Sequence, residues 1–307
     1  MASIVYVSDK KMIEYHRLNG NQTMNFWRLS SQKKFTHFYA GDYLFFLAKG
    51  TEHRVTKEKG IIGYGKFQHS KTMTLTQMWN QYGGLNGFSS KSEFKEAVLK
   101  LSKTKTIPKS MHSLYLTEII FFSYPIYLSE IDIFISNSLE SYTYLDRHGV
   151  SATVRLLKKA QEVGIDSWQA AIDEDVNQEI FKNDLQSHVL AHCINQVFPT
   201  DAPIPKVFKR FIESKERRST EHIKGGKSVL YDHPKREVIF AFESRGKQKE
   251  EAFYSLVGKI AAVSQIINNT QELKDIAFHY RVITDQILEN DKLNILNYLG
   301  VHTEMIE

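Results

Sequence analysis

One cysteine in 307 residues leaves Cys193 without a partner for an internal disulfide and excludes a cysteine-rich zinc site. No run of about eighteen apolar residues is present to span a bilayer. The amino terminus, Met1-Ala2-Ser3-Ile4-Val5-Tyr6, lacks both the basic start and the apolar centre of a signal peptide, so the cytoplasm of a microbe is the expected location. There is no internal repeat, no low-complexity tract, no glycine-rich phosphate loop after a strand and no nucleophile elbow. What remains is a chain with 42% hydrophobic and 24% charged residues, ordinary for a soluble globular protein and long enough for two domains.

The net charge of +5 is unevenly spread. Residues 1–135 hold 18 Lys and Arg against 10 Asp and Glu, and residues 206–249 hold 13 against 6. Two basic zones with an acidic region between them match a polyanion binder with two contacts; solvated surface lysine gives the same tally.

The patterning predicts an α+β chain. Strands are expected at Phe35–Tyr39, Asp42–Ala48, Ile61–Phe67 and Ser113–Phe122, with helices at Thr76–Tyr82 and Lys91–Ser102. Helical texture follows over residues 151–162, 167–173 and 178–198, then a basic helix from Lys206 to Arg218. The last stretch reads as a hairpin (Lys227–Asp232, Glu237–Glu243), a helix over 247–267, a strand at Ile276–Ile283, a helix at Asp291–Leu299 and a strand at Val301–Ile306. The expected domains are therefore 1–136, a helical connector 137–224, and a mixed α/β sheet domain 225–307.

Four blocks stand out near the front: Phe26-Trp27-Arg28-Leu29, Gly41-Asp42 leading into Phe45-Phe46, Ile62-Gly63-Tyr64-Gly65, and Trp79 through Asn86-Gly87 with Ser89-Ser90. In order and spacing they resemble the PUA-like superfamily, within it the EVE-type domains at the front of bacterial restriction-related proteins. The resemblance implies a small β-barrel with helical insertions that recognises modified bases in DNA or RNA. The chemistry suits a nucleobase pocket: Trp27, Tyr43, Tyr64, Trp79 and Tyr82 have faces for stacking, and Asn86 offers a donor and an acceptor. Lys33, Lys34, Lys49, Arg54, Lys57, Lys59 and Lys66 surround these strands as candidate phosphate contacts. Phe45, Phe46, Trp79 and Phe94 also read as core, and Trp27, Tyr43 and Tyr64 stand open between core and pocket.

The hairpin, then Glu243-Ser244-Arg245, then a long helix resembles the PD-(D/E)xK nuclease core. That resemblance implies Glu243, Arg245 and Asp232 as catalytic residues and a Mg²⁺ held by Glu243 and Asp232 with Glu179, or Asp184, as an added acid. The family's first-strand acid falls where this chain has Lys227. If the metal site is degenerate, Lys206, Lys209, Arg210, Lys215, Arg217, Arg218, Lys235, Arg236 and Arg245 form a backbone-binding surface. His188 and His192, one helical turn apart near Cys193, lack the glutamate of a zincin pattern and read as ordinary histidines.

Two functions follow as expectations. One is a modification-dependent DNA endonuclease of bacterial defence, using Mg²⁺ on double-stranded DNA with a modified base, with a dimer suited to double-strand cutting. The other is a non-catalytic protein that binds DNA, RNA or a partner through a degenerate nuclease-like domain.

Overall fold

The structure is a computed structural model describing residues 3–29, 35–146, 151–173, 177–198, 202–213, 220–223, 227–243 and 249–306. It divides into two compact units, residues 1–185 and 186–307. Residues 137–185, read from the sequence as the start of a connector, lie in the first unit.

In the first unit, β1 (Ile4–Asp9) runs into α1 (Lys10–Leu18), capped by Asp9, whose carboxylate accepts from the Lys11 amide at 2.8 Å. Then come β2 (Met24–Leu29), β3 (Tyr43–Lys49), β4 (Gly60–Met73), α2 (Leu75–Tyr82), α3 (Lys91–Leu101), β5 (Met111–Ile126) and the short β6 (Tyr142–Tyr144). Helices α4 (Ser151–Val163) and α5 (Ser167–Ile172) follow, and α6 (Glu179–Asn195) carries the division between the units. Among the described residues these strands form one six-stranded sheet in the order β2-β5-β4-β3-β1-β6. Its pairs are antiparallel except β1 with β3, so α1 and β2 serve as part of the crossover that a parallel pair requires.

Strands β4 and β5 are long, and their register shifts three times, between Ile61 and Gly63, Tyr64 and Lys66, and Phe67 and His69. Each shift adds local twist and bend, which curls a long sheet toward a barrel. Gly63 permits the closest approach, because a Cβ there would lie 2.3 Å from the Ile120 carbonyl oxygen. Beyond that point the Gln169 side chain of α5 stands in for a neighbouring strand: it accepts from the Phe121 amide at 2.8 Å and donates to the Ile119 carbonyl at 2.6 Å.

Phe26, Leu44, Phe46, Met78, Phe94, Leu114 and Phe121 make the core on one face of this sheet. On the other face Tyr43, Phe45 and Tyr64 pack together, and Phe181 of α6 covers them, 6.4 Å from the Tyr64 ring and 6.0 Å from Phe122. Both faces are therefore covered, which explains the near-continuous apolar run of β3. The expected strand at Phe35–Tyr39 does not form. His37 has a φ of 55°, which breaks an extended run, and Phe35 and Phe38 instead place their rings 4.7 Å from Tyr142 and 4.8 Å from Phe67.

The second unit contains α7 (Lys206–Glu213), β7 (Thr220–His222), β8 (Val229–Asp232), β9 (Glu237–Phe242), α8 (Lys249–Asn269), β10 (His279–Thr284), α9 (Asn290–Tyr298) and β11 (Val301–Met305). Among the described residues its sheet has the order β11-β10-β9-β8-β7, antiparallel from β7 to β9 and parallel from β9 to β11. The mixed sheet with flanking helices agrees with the sequence pattern. No helix among the described residues is long and apolar enough to cross a membrane.

Candidate nucleic-acid interface

Of the six residues expected to hold a base, Trp27, Trp79 and Asn86 fall in one cluster and Tyr43 and Tyr64 in another, while Tyr82 stacks on Tyr115. In the first, the turn that closes α2 brings Asn86 beneath the sheet, where it is fully buried. Its Oδ1 accepts from Asn25 Nδ2 at 2.7 Å, its Nδ2 donates to the Gly83 carbonyl at 2.7 Å, and its own carbonyl accepts from Trp27 Nε1 at 3.0 Å. Ser113 Oγ donates in turn to Asn25 Oδ1. Gly87 closes this turn at φ 87°, and a Cβ there would lie 2.4 Å from Met12 Cγ. Trp27 packs edge-on against Phe94 at 5.1 Å, and half-buried Trp79 lies 6.2 Å from the same ring.

The second cluster surrounds Asp184. Tyr64 donates to its Oδ2 at 2.6 Å, the Lys66 ammonium lies 2.8 Å from its Oδ1, and Tyr43 donates to its backbone carbonyl at 3.0 Å. Lys66 also pairs with Glu118. Burial pulls the Lys66 pKa down, but Asp184 and Glu118 outweigh it and the net shift is upward. The Tyr64 pKa is raised, first by burial and then by the adjacent carboxylate. The hydrogen bonds of Asn86, Tyr43 and Tyr64 are thus spent inside the fold, and neither tyrosine ring is open to a stacked base.

Open surface of the right chemistry lies next to the first cluster. A groove of ≈ 670 Å³ is lined by Lys71, Thr72 and Met73 at the end of β4 and by Gln77, Asn80 and Gln81 of α2. Thr74 caps α2 in a capping box with Gln77, and this fixes the helix against the strand end. Asn80 and Gln81 are exposed, and their amides make no hydrogen bond among the described residues. Beside the groove His69 stacks on Tyr115 at 5.2 Å and Tyr115 on Tyr82 at 5.6 Å. The His69 pKa is lowered by partial burial and by Lys71. The sequence pattern singles out Trp79, Tyr82 and Asn86 in this stretch, but not the exposed amides of Asn80 and Gln81. The missed signal was the polar face of a helix capped at a strand end.

The backbone-contact candidates are scattered. Lys49 is exposed and pairs with Glu140; Lys209 is exposed; Arg210 lies 3.0 Å from Asp285; Lys235 lies 3.8 Å from Asp232; and Arg236 is exposed at φ 50°. Lys33, Lys34, Arg217, Arg218 and Arg245 lie outside the described residues.

The expected Mg²⁺ site does not assemble. Asp232 pairs with Glu237 across β8 and β9, while Glu243 follows six positions later, past the other end of β9. At about 3.3 Å per residue that is a separation of roughly 20 Å, whereas carboxylates sharing one ion at bonds of about 2.1 Å must come within about 5 Å of each other. Glu243 instead accepts a hydrogen bond from the Val207 amide at the start of α7, and Asp232 accepts from the Lys235 amide at 3.4 Å. Glu179 belongs to the first unit and pairs loosely with Lys182 at 3.8 Å. Among the described residues no group of three or more His, Cys, Asp or Glu is placed to hold a metal ion.

No protein-family model and no curated protein matches the chain. Among solved structures the chain is similar to the ASCH of Zymomonas mobilis, at 14% identity and a TM-score of 0.36, covering 51% of this chain and 94% of that one. Two single-residue variants of that protein align in the same way, at 16% identity with a TM-score of 0.35 and at 13% with 0.36, covering 96% and 95% of their chains and 51% of this one.

Proposed function

We propose that the first unit is a PUA-like nucleic-acid-binding module, and that the chain works by binding rather than by metal-dependent cleavage. The observation that carries this reading is the groove between β4 and α2, where Lys71 supplies a cation and Asn80 and Gln81 present unspent amides. Amides of this kind pair with base edges through adjacent donor and acceptor atoms, and a lysine at the rim neutralises a phosphate. Half-buried His69, stacked on Tyr115, adds a polar ring edge beside it. The excess of basic residues over 1–135 supports the same reading, because it raises the local concentration of a polyanion.

The test is a titration of labelled single-stranded RNA, single-stranded DNA and duplex DNA with unmodified, methylated or hydroxymethylated cytosine, each with a chelator present. Binding to at least one of them is expected, with affinity falling as salt rises. The double substitution Lys71→Ala with Asn80→Ala should weaken it by about tenfold or more, the scale of one lost base-edge contact. Absence of binding to every probe at low salt, or unaltered binding by the double variant, would sink the proposal.

A further inference from the structure

One face of the second unit's sheet is divided in two. Helix α7 covers Leu230, Ile239 and Ile283 with Val207, Phe208 and Phe211. Stepping two residues at a time along each strand keeps to the same face and leads, away from α7, to Asp232 on β8, Glu237 on β9, Arg281 and His279 on β10, and Glu304 and His302 on β11. This polar half is concave: a cavity of ≈ 520 Å³ is lined by Lys235, Glu237, His279, Arg281 and His302.

Its cation is fixed in place. The Arg281 guanidinium is held by Glu237, with Nε at 2.9 Å and Nη2 at 2.7 Å, and by Glu304, with Nη1 at 2.7 Å. Glu237 is only 4% exposed, so this fork is set from beneath the cavity. A guanidinium has five N–H donors, which leaves two of them for a ligand. Lys235 adds an ammonium held only loosely, 3.8 Å from Asp232. His279 and His302 are exposed, and their rings make no hydrogen bond among the described residues. The lining is therefore rich in donors: Lys235 and Arg281 are its cations, the carboxylates of Glu237 and Glu304 are both engaged in holding Arg281, and that of Asp232 stands 3.8 Å from Lys235.

We infer that this cavity is a phosphate-binding site, in which Lys235, Arg281, His279 and His302 together hold the oxygens of a phosphate ester. A phosphate group presents several strong acceptors on a compact centre, which matches four donors from two strands and a turn. The turn itself is tied to the site, because the His279 amide donates to the Arg236 carbonyl at 3.0 Å.

The experiment uses the full chain and proton NMR of the histidine rings, with His279 and His302 assigned from His279→Gln and His302→Gln. Inorganic phosphate, a nucleoside monophosphate and a short oligonucleotide are titrated separately. Shifts of both resonances are expected, and Lys235→Ala combined with His302→Gln, two exposed positions, should weaken the His279 titration by roughly tenfold. A response to phosphate and the monophosphate identifies a free phosphate ligand, and a response to the oligonucleotide alone identifies the backbone diester; either upholds the site. If none of the three probes moves either ring, or if the variant titrates like the parent, the inference is overturned. The variant Lys71→Ala with Asn80→Ala should leave this titration intact, which keeps the outcome separate from that of the first unit's groove.

Discussion

Asn25 and Asn86, 61 positions apart, meet in a 2.7 Å hydrogen bond inside the first unit. Asn86 is also bonded to Gly83 and Trp27, so one side chain and its carbonyl join β2 to the turn after α2. A buried amide network of this kind is costly to break, because each abandoned partner keeps its desolvation penalty. Asn86→Ala should destabilise the protein by about 2–3 kcal/mol. Urea denaturation followed by tryptophan fluorescence measures it, and an unchanged midpoint would show that the network is dispensable. Because the same turn ends the helix that carries Asn80 and Gln81, weakened nucleic-acid binding by this variant should track its loss of folded protein.

Asp184 joins Tyr64, Lys66 and the Tyr43 hydroxyl; Asp184 and both tyrosines are buried and Lys66 is half-buried. Removing one partner strands the others. Asp184→Asn should cost about 3 kcal/mol by leaving Lys66 without its buried counter-charge, and Tyr64→Phe about 1–2 kcal/mol. Since both act on one network, the double variant should lose less than the two single losses together. Strict additivity in denaturation measurements would show that Tyr64 and Asp184 are not coupled energetically.

The elements that were legible in the sequence are those whose signal is local. Ser90 with Glu93 and the apolar spacing of Phe94 and Val98 mark α3, and the apolar run from Tyr43 marks β3. The parallel pairing of β1 with β3 was not legible, because nothing in Ile4–Asp9 says which strand it will meet. The same limit governs the site. Tyr43, Tyr64 and Asn86 have the side chains a base pocket needs, but Asp184 lies 141 and 120 positions from the two tyrosines and Asn25 lies 61 from Asn86. Residue type alone cannot show that these long-range partners consume the polar groups first. At Gly63 of β4 the space a side chain would need is taken by the backbone of β5.

His16 is fully buried, with Nδ1 3.0 Å from Asn21 Nδ2 and no hydrogen-bond partner for Nε2 among the described residues. Burial lowers its pKa from 6.5 to about 4. The unfolded chain therefore takes up a proton on this histidine before the folded chain does, so its contribution disfavours folding progressively as the pH falls from 6.5 toward 4. At about 1.4 kcal/mol per unit the loss approaches about 3 kcal/mol. Stability measured at pH 7 and at pH 4.5 should fall more in the parent than in His16→Gln, which has no such group to protonate. Equal falls in the two proteins would place the acid sensitivity elsewhere.

Glu243 and Asp232 belong to opposite ends of the β8–β9 pair, and that separation makes a sharp prediction about metal dependence. If Glu243 serves to cap α7, its loss weakens the helix start and the packing of Val207, Phe208 and Phe211 over the sheet. Glu243→Ala should then lower stability by about 1 kcal/mol, the usual scale of a lost cap, with or without Mg²⁺. Glu243→Gln keeps an acceptor for the Val207 amide and should recover most of that loss. A metal ligand would behave in the opposite way: Mg²⁺ would raise the melting temperature of the parent, a chelator would reverse it, and the glutamine variant would abolish the response while folding normally. Thermal denaturation of the three proteins with Mg²⁺ and with chelator separates the two roles. A Mg²⁺ stabilisation lost in Glu243→Gln would overturn the capping assignment and restore the metal chemistry that the hairpin sequence resembles.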